Sequence, residues 1–297
     1  MVTSEQLPDW LKRQYPFKTK SYTTPHGAQM SYVDEGPHSE EAVLFLHGNP
    51  SWSFLYRDII KTLSPKIRCI APDHIGMGLS DKPADYPYNL AARITDIEGL
   101  VNHLGLWNVH LVVHDWGGAI GSGWAVRRPE RVGRIVIFNT GAFRSPHIPL
   151  RIALCRTPVL GTFIVRALNG FAGPAVWMSM NNRKLTRDER RGFLFPYNSW
   201  GNRVAVNAFV KDIPMEDDHP SYKTLVEVEL GLKELHPKPV RLIWGGADFC
   251  FDMRFFMRWQ KIFPHAQHYY MPEAGHYVID DSAPTATRLT TEFLLSK

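Results

Sequence analysis

The residues that could do chemistry centre on Val112-Val113-His114-Asp115-Trp116-Gly117-Gly118-Ala119. The apolar run Val109 to Val113 reads as a buried parallel strand. Beyond the glycines, Ala119 to Arg127 reads as a helix with small residues on the face nearest the turn. A strand, a tight turn and a helix form the setting of a nucleophile elbow, where one side chain projects above the sheet edge. Serine commonly occupies that apex; here it is Asp115. A serine needs a base as it attacks. A carboxylate is ionised at neutral pH and attacks directly. It suits an sp3 carbon bearing a good leaving group and is poor for amides, because its acyl product would be a labile anhydride. An elbow aspartate therefore points to halides, epoxides or strained lactones. An aspartate capping the following helix is the plainer alternative.

Two further candidates follow predicted strands. Asp248 ends the segment Trp244-Gly245-Gly246-Ala247-Asp248, and His276 ends Glu273-Ala274-Gly275-His276. The chain order is nucleophile, acid, histidine. In that arrangement His276 is the base, and Asp248 holds its tautomer and stabilises the imidazolium. The loop His47-Gly48-Asn49-Pro50-Ser51-Trp52 follows the strand Ala42 to Leu46. Backbone N–H groups of Asn49 and Trp116 could hold an acyl oxyanion. The Asn49 amide NH2 and the Trp116 indole N–H are neutral donors suited to a large, weakly hydrated halide. Core packing for Trp116 and turn formation for Asn49 are the alternatives. Gly121-Ser122-Gly123 lacks the five-residue frame of a serine motif and falls inside the helix after the turn. His47 and His114 lack metal-ligand spacing and are expected to bond backbone around the site.

Strands must place these residues at one sheet edge. Lys18 to Thr23 and Gln29 to Asp34 predict an antiparallel hairpin. Further strands are predicted at Ala42 to Leu46, Arg68 to Ala71, Val109 to Val113, Val132 to Phe138, Val240 to Trp244 and His268 to Met271. Helices fall between them, including Tyr56 to Leu63, Ile94 to Leu104, Arg254 to Phe263 and Pro284 to Leu295. This alternation predicts an α/β fold with a mostly parallel sheet covered on both faces. From Gly141 to His236 no strand is evident, and the segment reads as an inserted helical cap. The expected organisation is core over 1–140, cap over 141–236 and core again over 237–297. Ligands of such sheets bind at the carboxyl ends of the strands.

Composition narrows the function classes. A hydrophobic content of 44% and a charged content of 21% are ordinary for a globular enzyme. Net charge is +5, without a basic run interleaved with aromatics, so nucleic acid is not an expected partner. Cys69, Cys155 and Cys250 lack metal spacing and suit reduced residues in a cytoplasmic protein. The first twenty residues carry no apolar signal-like run. Charged residues, Pro158 and Gly170 interrupt the apolar stretch from Ile148 to Met180, so it is not expected to span a membrane. No cofactor or metal is required by the chemistry above.

With these residues in view, the chain resembles the haloalkane dehalogenases of the α/β-hydrolase superfamily. The resemblance spans nearly the whole chain and is weakest in the cap. It rests on His47-Gly48-Asn49-Pro50, on Asp73-His74-Ile75-Gly76-Met77-Gly78-Leu79-Ser80-Asp81-Lys82-Pro83, on His114-Asp115-Trp116-Gly117-Gly118 and on Ala274-Gly275-His276. It implies Asp115 as nucleophile, His276 as base and Asn49 with Trp116 as the halide-binding pair. One branch takes its acid from the strand before the cap, where this chain has Asn139, which leaves Asp248 as the acid. That combination is similar to the third subfamily, whose members tend to self-associate. The same subfamily is similar to β-lactone decarboxylases of bacterial long-chain olefin biosynthesis. Asn198-Ser199-Trp200-Gly201-Asn202-Arg203 and Trp244 to Asp252 look much like that group.

Dehalogenation is the first expectation and lactone decarboxylation its rival. Fluoroacetate dehalogenases want an arginine soon after the nucleophile, and epoxide hydrolases want two cap tyrosines. Here Trp116-Gly117-Gly118 follows Asp115, and Tyr197 is the sole tyrosine between Gly141 and His219. A non-catalytic binding protein on the same fold is the cross-class alternative. Expected partners are a small apolar substrate, a halide ion and further copies of the chain. The arginine-rich cap could also meet an acidic protein or an anionic membrane surface, although a solvated basic face is the plainer reading.

Overall fold

A computed structural model describes residues 2–296; Met1 and Lys297, the outer ends of the expected core segments, lie outside the described residues. The apolar segments assemble into one eight-stranded sheet of order β1-β2-β4-β3-β5-β6-β7-β8. The strands are β1 (Thr19–Thr23), β2 (Gln29–Glu35), β3 (Glu41–Leu46), β4 (Arg68–Pro72), β5 (Asn108–Asp115), β6 (Val132–Thr140), β7 (Val240–Gly245) and β8 (Gln267–Met271). β1 and β2 form the expected antiparallel hairpin at one edge, and β2 also runs antiparallel to β4. From β4 to β8 every pairing is parallel. In β3 all positions after Glu41 are buried, and in β5 all after Asn108, as strands covered on both faces require.

Register brings the candidate residues to one edge. Leu46 of β3 pairs with Val113 of β5, and Asp115 pairs with Thr140 of β6. The loops carrying Asn49, Asp115 and Asp248 therefore leave the sheet side by side.

Helices cover both faces: α1 (Asp9–Lys12), α2 (Arg57–Leu63), α3 (Leu90–His103) and α4 (Trp116–Arg127) precede β6. Between β6 and β7 come α5 (Leu150–Arg156), α6 (Val159–Thr162), α7 (Ala172–Met178), α8 (Arg187–Leu194), α9 (Val204–Lys211) and α10 (Tyr222–Gly231), and no strand among the described residues. α6 passes directly into a wider, π-helical stretch at Phe163–Ala167. α10 packs on α4 and α3, so the last part of the inserted segment lies on the sheet layer. The chain closes with α11 (Met253–Ile262), α12 (Val278–Asp281) and α13 (Ala283–Leu294). Among the described residues no single helix is long and apolar enough to cross a membrane. The pair Val159–Ala167 and Ala172–Met178 meets that length and composition only together, across a 72° bend.

Buried charges fasten the cap to the sheet. Arg57 of α2 is 3% exposed and grips Asp280 of α12 through Nη2 at 2.6 Å and Nη1 at 3.2 Å. Its Nη2 also reaches Glu189 of α8 at 3.3 Å, and Arg183 donates to both Glu189 oxygens at 2.9 Å. Every carboxylate oxygen of the cluster has at least one donor, which offsets the desolvation that makes isolated buried pairs costly. Next to it, Asp281 accepts four backbone N–H groups: Asn181 at 2.9 Å, Asn182 at 3.0 Å, Arg183 at 2.8 Å and Gly275 at 2.7 Å. One carboxylate thus ties the cap turn 181–183 to the loop before His276.

Asp281→Ala strands these N–H groups, each worth about 1–3 kcal/mol when left unpaired. The expected loss is about 3 kcal/mol, read as a fall in the urea midpoint with unchanged slope. A variant within about 0.5 kcal/mol of the parent would show that the loop is held by other contacts.

Candidate active site

Asp115 sits at the apex between β5 and α4 with φ 52° and ψ −129°. That left-handed backbone is unfavourable for any side chain with a Cβ. The surroundings impose it. Thr140 Oγ1 donates to the Asp115 carbonyl. Gly117 lets α4 lie directly on β3, because a Cβ there would overlap the Leu46 carbonyl, and a Cβ on Gly118 would overlap Thr140. A Cβ on Gly48 would overlap the Asp115 carboxylate, so the loop after β3 also needs glycine at its closest approach.

The Asp115 side chain makes no capping bond to α4. It turns instead toward the loop after β3, where Oδ1 accepts the Asn49 backbone N–H at 2.7 Å. Its other oxygen, Oδ2, lies 3.8 Å from His276 Nε2. That gap is too long for a hydrogen bond. His276 Nδ1 meets Asp248 Oδ2 at 2.8 Å. A carboxylate only accepts, so Nδ1 carries a proton and Nε2 is the nitrogen that faces Asp115. The structure therefore brings Asp115, His276, Asp248 and Asn49 together, with Trp116 beside them.

Electrostatics separates the two aspartates. Burial raises the Asp115 pKa, and His276 and the neighbouring N–H groups offset this only in part. Burial acts in the same direction on Asp248, but attraction to His276 and hydrogen bonds from His276, Cys250 and Phe251 outweigh it, so its pKa is lowered. For His276, burial favours the neutral ring, yet Asp248 and then Asp115 overcome it and the pKa is raised. The other two histidines go the opposite way. Burial pushes His114 down to about 3 and His47 to about 4. Both stay neutral and bond backbone, as expected: His114 Nε2 donates to the His276 carbonyl at 2.9 Å, and His47 Nδ1 to the Gly48 carbonyl at 2.8 Å.

Several supporting residues were not foreseen. Asn139 Nδ2 donates to Asp248 Oδ2 at 2.9 Å, while its Oδ1 accepts the Gly245 N–H at 2.7 Å. It occupies the β6 exit and holds the Asp248 carboxylate beyond the next strand. Position at a strand exit was the available signal. Thr140 shares that strand-exit position, but nothing local marks its bond to the Asp115 carbonyl, and the cap turn that Asp281 holds lies about a hundred positions away. Ser122 lies buried within α4, away from the turn.

Asn49 Nδ2 donates to the Val206 carbonyl of α9 at 3.1 Å, which leaves one amide proton free. The Trp116 ring rests on Phe209 at 5.4 Å, and the Arg93 guanidinium lies over both rings, 3.7 Å from the Phe209 centroid and 6.0 Å from that of Trp116. Above Asp115 the space is apolar and divided. A cavity of about 130 Å³ is lined by Trp116, Phe143, Leu225 and Phe255, and another of about 240 Å³ by Cys155, Met178, Phe249 and His276. Asp115 and Asn49 border both.

The α/β hydrolase fold family matches residues 41–283. The chain is 41% identical to the cis-3-alkyl-4-alkyloxetan-2-one decarboxylase of Shewanella oneidensis, over 90% of this chain and 85% of that protein. It is 40% identical to the decarboxylase of the same name from Xanthomonas campestris, over 90% and 92%. Haloalkane dehalogenase 2 of Mycobacterium tuberculosis is 30% identical over 90% and 92%. Among solved structures, a haloalkane dehalogenase from Bradyrhizobium elkani superposes with a TM-score of 0.84 at 25% identity, covering 94% of this chain and 97% of that one. With its elbow aspartate, its strand order and these relatives, the chain belongs to the α/β-hydrolase family.

Proposed function

We propose that this protein is a β-lactone decarboxylase that converts a cis-3,4-dialkyl oxetan-2-one to an alkene and CO2. Hydrolysis of haloalkanes is the second reading. The observation that carries the proposal is the buried carboxylate of Asp115, free of a capping role and facing apolar cavities. Such a group suits either electrophile. Similarity orders the two: 41% and 40% identity to the decarboxylases against 30% to a dehalogenase.

In the proposed reaction Asp115 Oδ2 attacks ring carbon C4 and breaks its bond to the ring oxygen. The product is an alkyl ester on Asp115, with a free carboxylate on C3. The bond from C3 to that carboxylate then breaks. Its electron pair forms the C3=C4 double bond as the C4–O bond to Asp115 breaks. CO2 and alkene leave, Asp115 is regenerated, and no water is consumed. The free Asn49 amide proton and the Trp116 indole N–H are donors for the carboxylate released on ring opening. With a haloalkane the first step is the same, and these donors meet the halide. The ester then lacks a carboxylate to expel it. Water must attack its carbonyl, giving a proton to His276 Nε2, while Asp248 holds the ring and its charge. The backbone N–H of Asn49 then supports the oxyanion.

A side-by-side assay of long-chain cis-β-lactones and bromoalkanes tests the proposal. Alkene release at least ten times faster than halide release supports it, and the reverse ratio assigns the chain to dehalogenation. Asp115→Asn is expected to lower either rate by about 10³-fold or more.

His276 divides the two outcomes. His276→Ala should accumulate the Asp115 ester from a bromoalkane, visible as added alkyl mass on the intact protein. From a lactone the same variant should accumulate none and still release alkene. Ester trapped from the lactone would show that His276 is required for fragmentation.

The pH dependence follows the same division. Alkene formation needs ionised Asp115 and is lost as pH falls through that group's raised pKa. Alcohol formation also needs neutral His276, whose pKa lies above its ordinary value of about 6.5. The acid limb for alcohol should therefore lie at higher pH than the limb for alkene in kcat profiles of one preparation. Coincident limbs would refute this division of roles.

A further inference from the structure

We infer that the site sorts the two alkyl arms of its substrate into separate chambers, divided by Ile152, Phe171 and Cys250. The inference rests on the lactone reading above. Both cavities border Asp115 and Asn49, and the residues they otherwise share are these three. Ile152 of α5 is 8% exposed, and Phe171 precedes α7, so the divider descends from the cap. Cys250 meets it from the loop after β7. Burial raises the Cys250 pKa well above its ordinary value, so the thiol stays neutral and packs as a small apolar group.

The chambers run in different directions. One passes between α4 and the segment after α9, along Trp116, Ile213 and Leu225. The other passes beneath α5 and α7, along Cys155, Ala175 and Met178. A dialkyl oxetanone carries its arms on adjacent ring carbons, and one of those carbons must touch Asp115 Oδ2. Two arms leaving so close together fill a forked cavity without exposing either chain to water. A terminal haloalkane has one arm and fills one branch. Each buried methylene strengthens binding roughly fourfold, so the fork converts arm length on both sides into affinity.

Two variants test the fork. Ile213→Trp narrows the first chamber and Met178→Trp the second. Each is assayed for alkene on three cis-β-lactones: long arm at C3 with methyl at C4, the reverse, and dimethyl. Each variant should lose at least about tenfold in kcat/KM on one long-armed isomer. It should stay within about threefold on the other isomer and on the dimethyl lactone. The two variants should fail on opposite isomers. Loss of the same isomer by both, or no discrimination by either, overturns the inference. If a tryptophan variant loses its melting transition, Ile213→Phe or Met178→Phe takes its place. Parent protein that forms no alkene from any lactone refutes the decarboxylase reading and the sorting with it. Parent activity without the crossed pattern refutes the sorting alone.

Discussion

A left-handed backbone at an aspartate is the constraint on which this site depends. Asp115 at φ 52° is held by packing rather than by preference. Its own conformation costs on the order of 1–3 kcal/mol. The opposing contributions come from α4 lying flat on β3 and β6, where Gly117 and Gly118 leave no Cβ between helix and strand, and from Thr140 bonding the Asp115 carbonyl. Relaxing the turn would lift the helix off two central strands of the core. The strain persists because undoing it would cost more, and its result is a carboxylate aimed away from its own helix.

Around that carboxylate, similar groups are set to different tasks by what surrounds them. Asp115 and Asp248 are both buried, yet one is raised and the other lowered. The difference lies in hydrogen bonds. Asp248 meets His276 Nδ1, Asn139 Nδ2 and the Cys250 N–H, which suit a permanent anion. Asp115 is stabilised by backbone N–H groups of Asn49 and Trp116 and turns Oδ2 toward His276 Nε2, 3.8 Å away, without a bidentate or side-chain partner of its own. The histidines divide in the same way: Asp248 is hydrogen-bonded to His276, whereas His114 and His47 bond backbone and burial prevails.

Much of this was legible in the sequence, for a physical reason. Continuous apolar runs ending in glycine-containing loops mark buried parallel strands and their exits, so all eight strands and the positions of Asp115, Asp248 and His276 followed from local pattern. What sequence could not supply was contact at long range. Asn139 gripping Asp248, Asp281 collecting N–H groups from the turn 181–183 and Arg57 linking α2 to α8 and α12 each join residues about a hundred or more positions apart. α7 and α10 were also missed. α7 contains Gly173 and Pro174, which blur helical periodicity, and α10 lay within a segment read as one cap although it packs on α4.

The motifs around Asp115 leave the reaction open because the two proposed routes share their first bond and part afterwards. A β-carboxylate on the ester expels Asp115 unaided, whereas an ester without one waits for His276 and water. On either proposed route the fate of the ester follows from the substrate, so the difference between the routes lies in which electrophile reaches Asp115. The residues that line the approach come from the cap segment, Ile152, Phe171, Met178 and Ile213 among them, while the sheet below presents the carboxylate. Selectivity can then change through apolar residues on helices fastened to the sheet by the Arg57 and Asp281 contacts, with the elbow untouched.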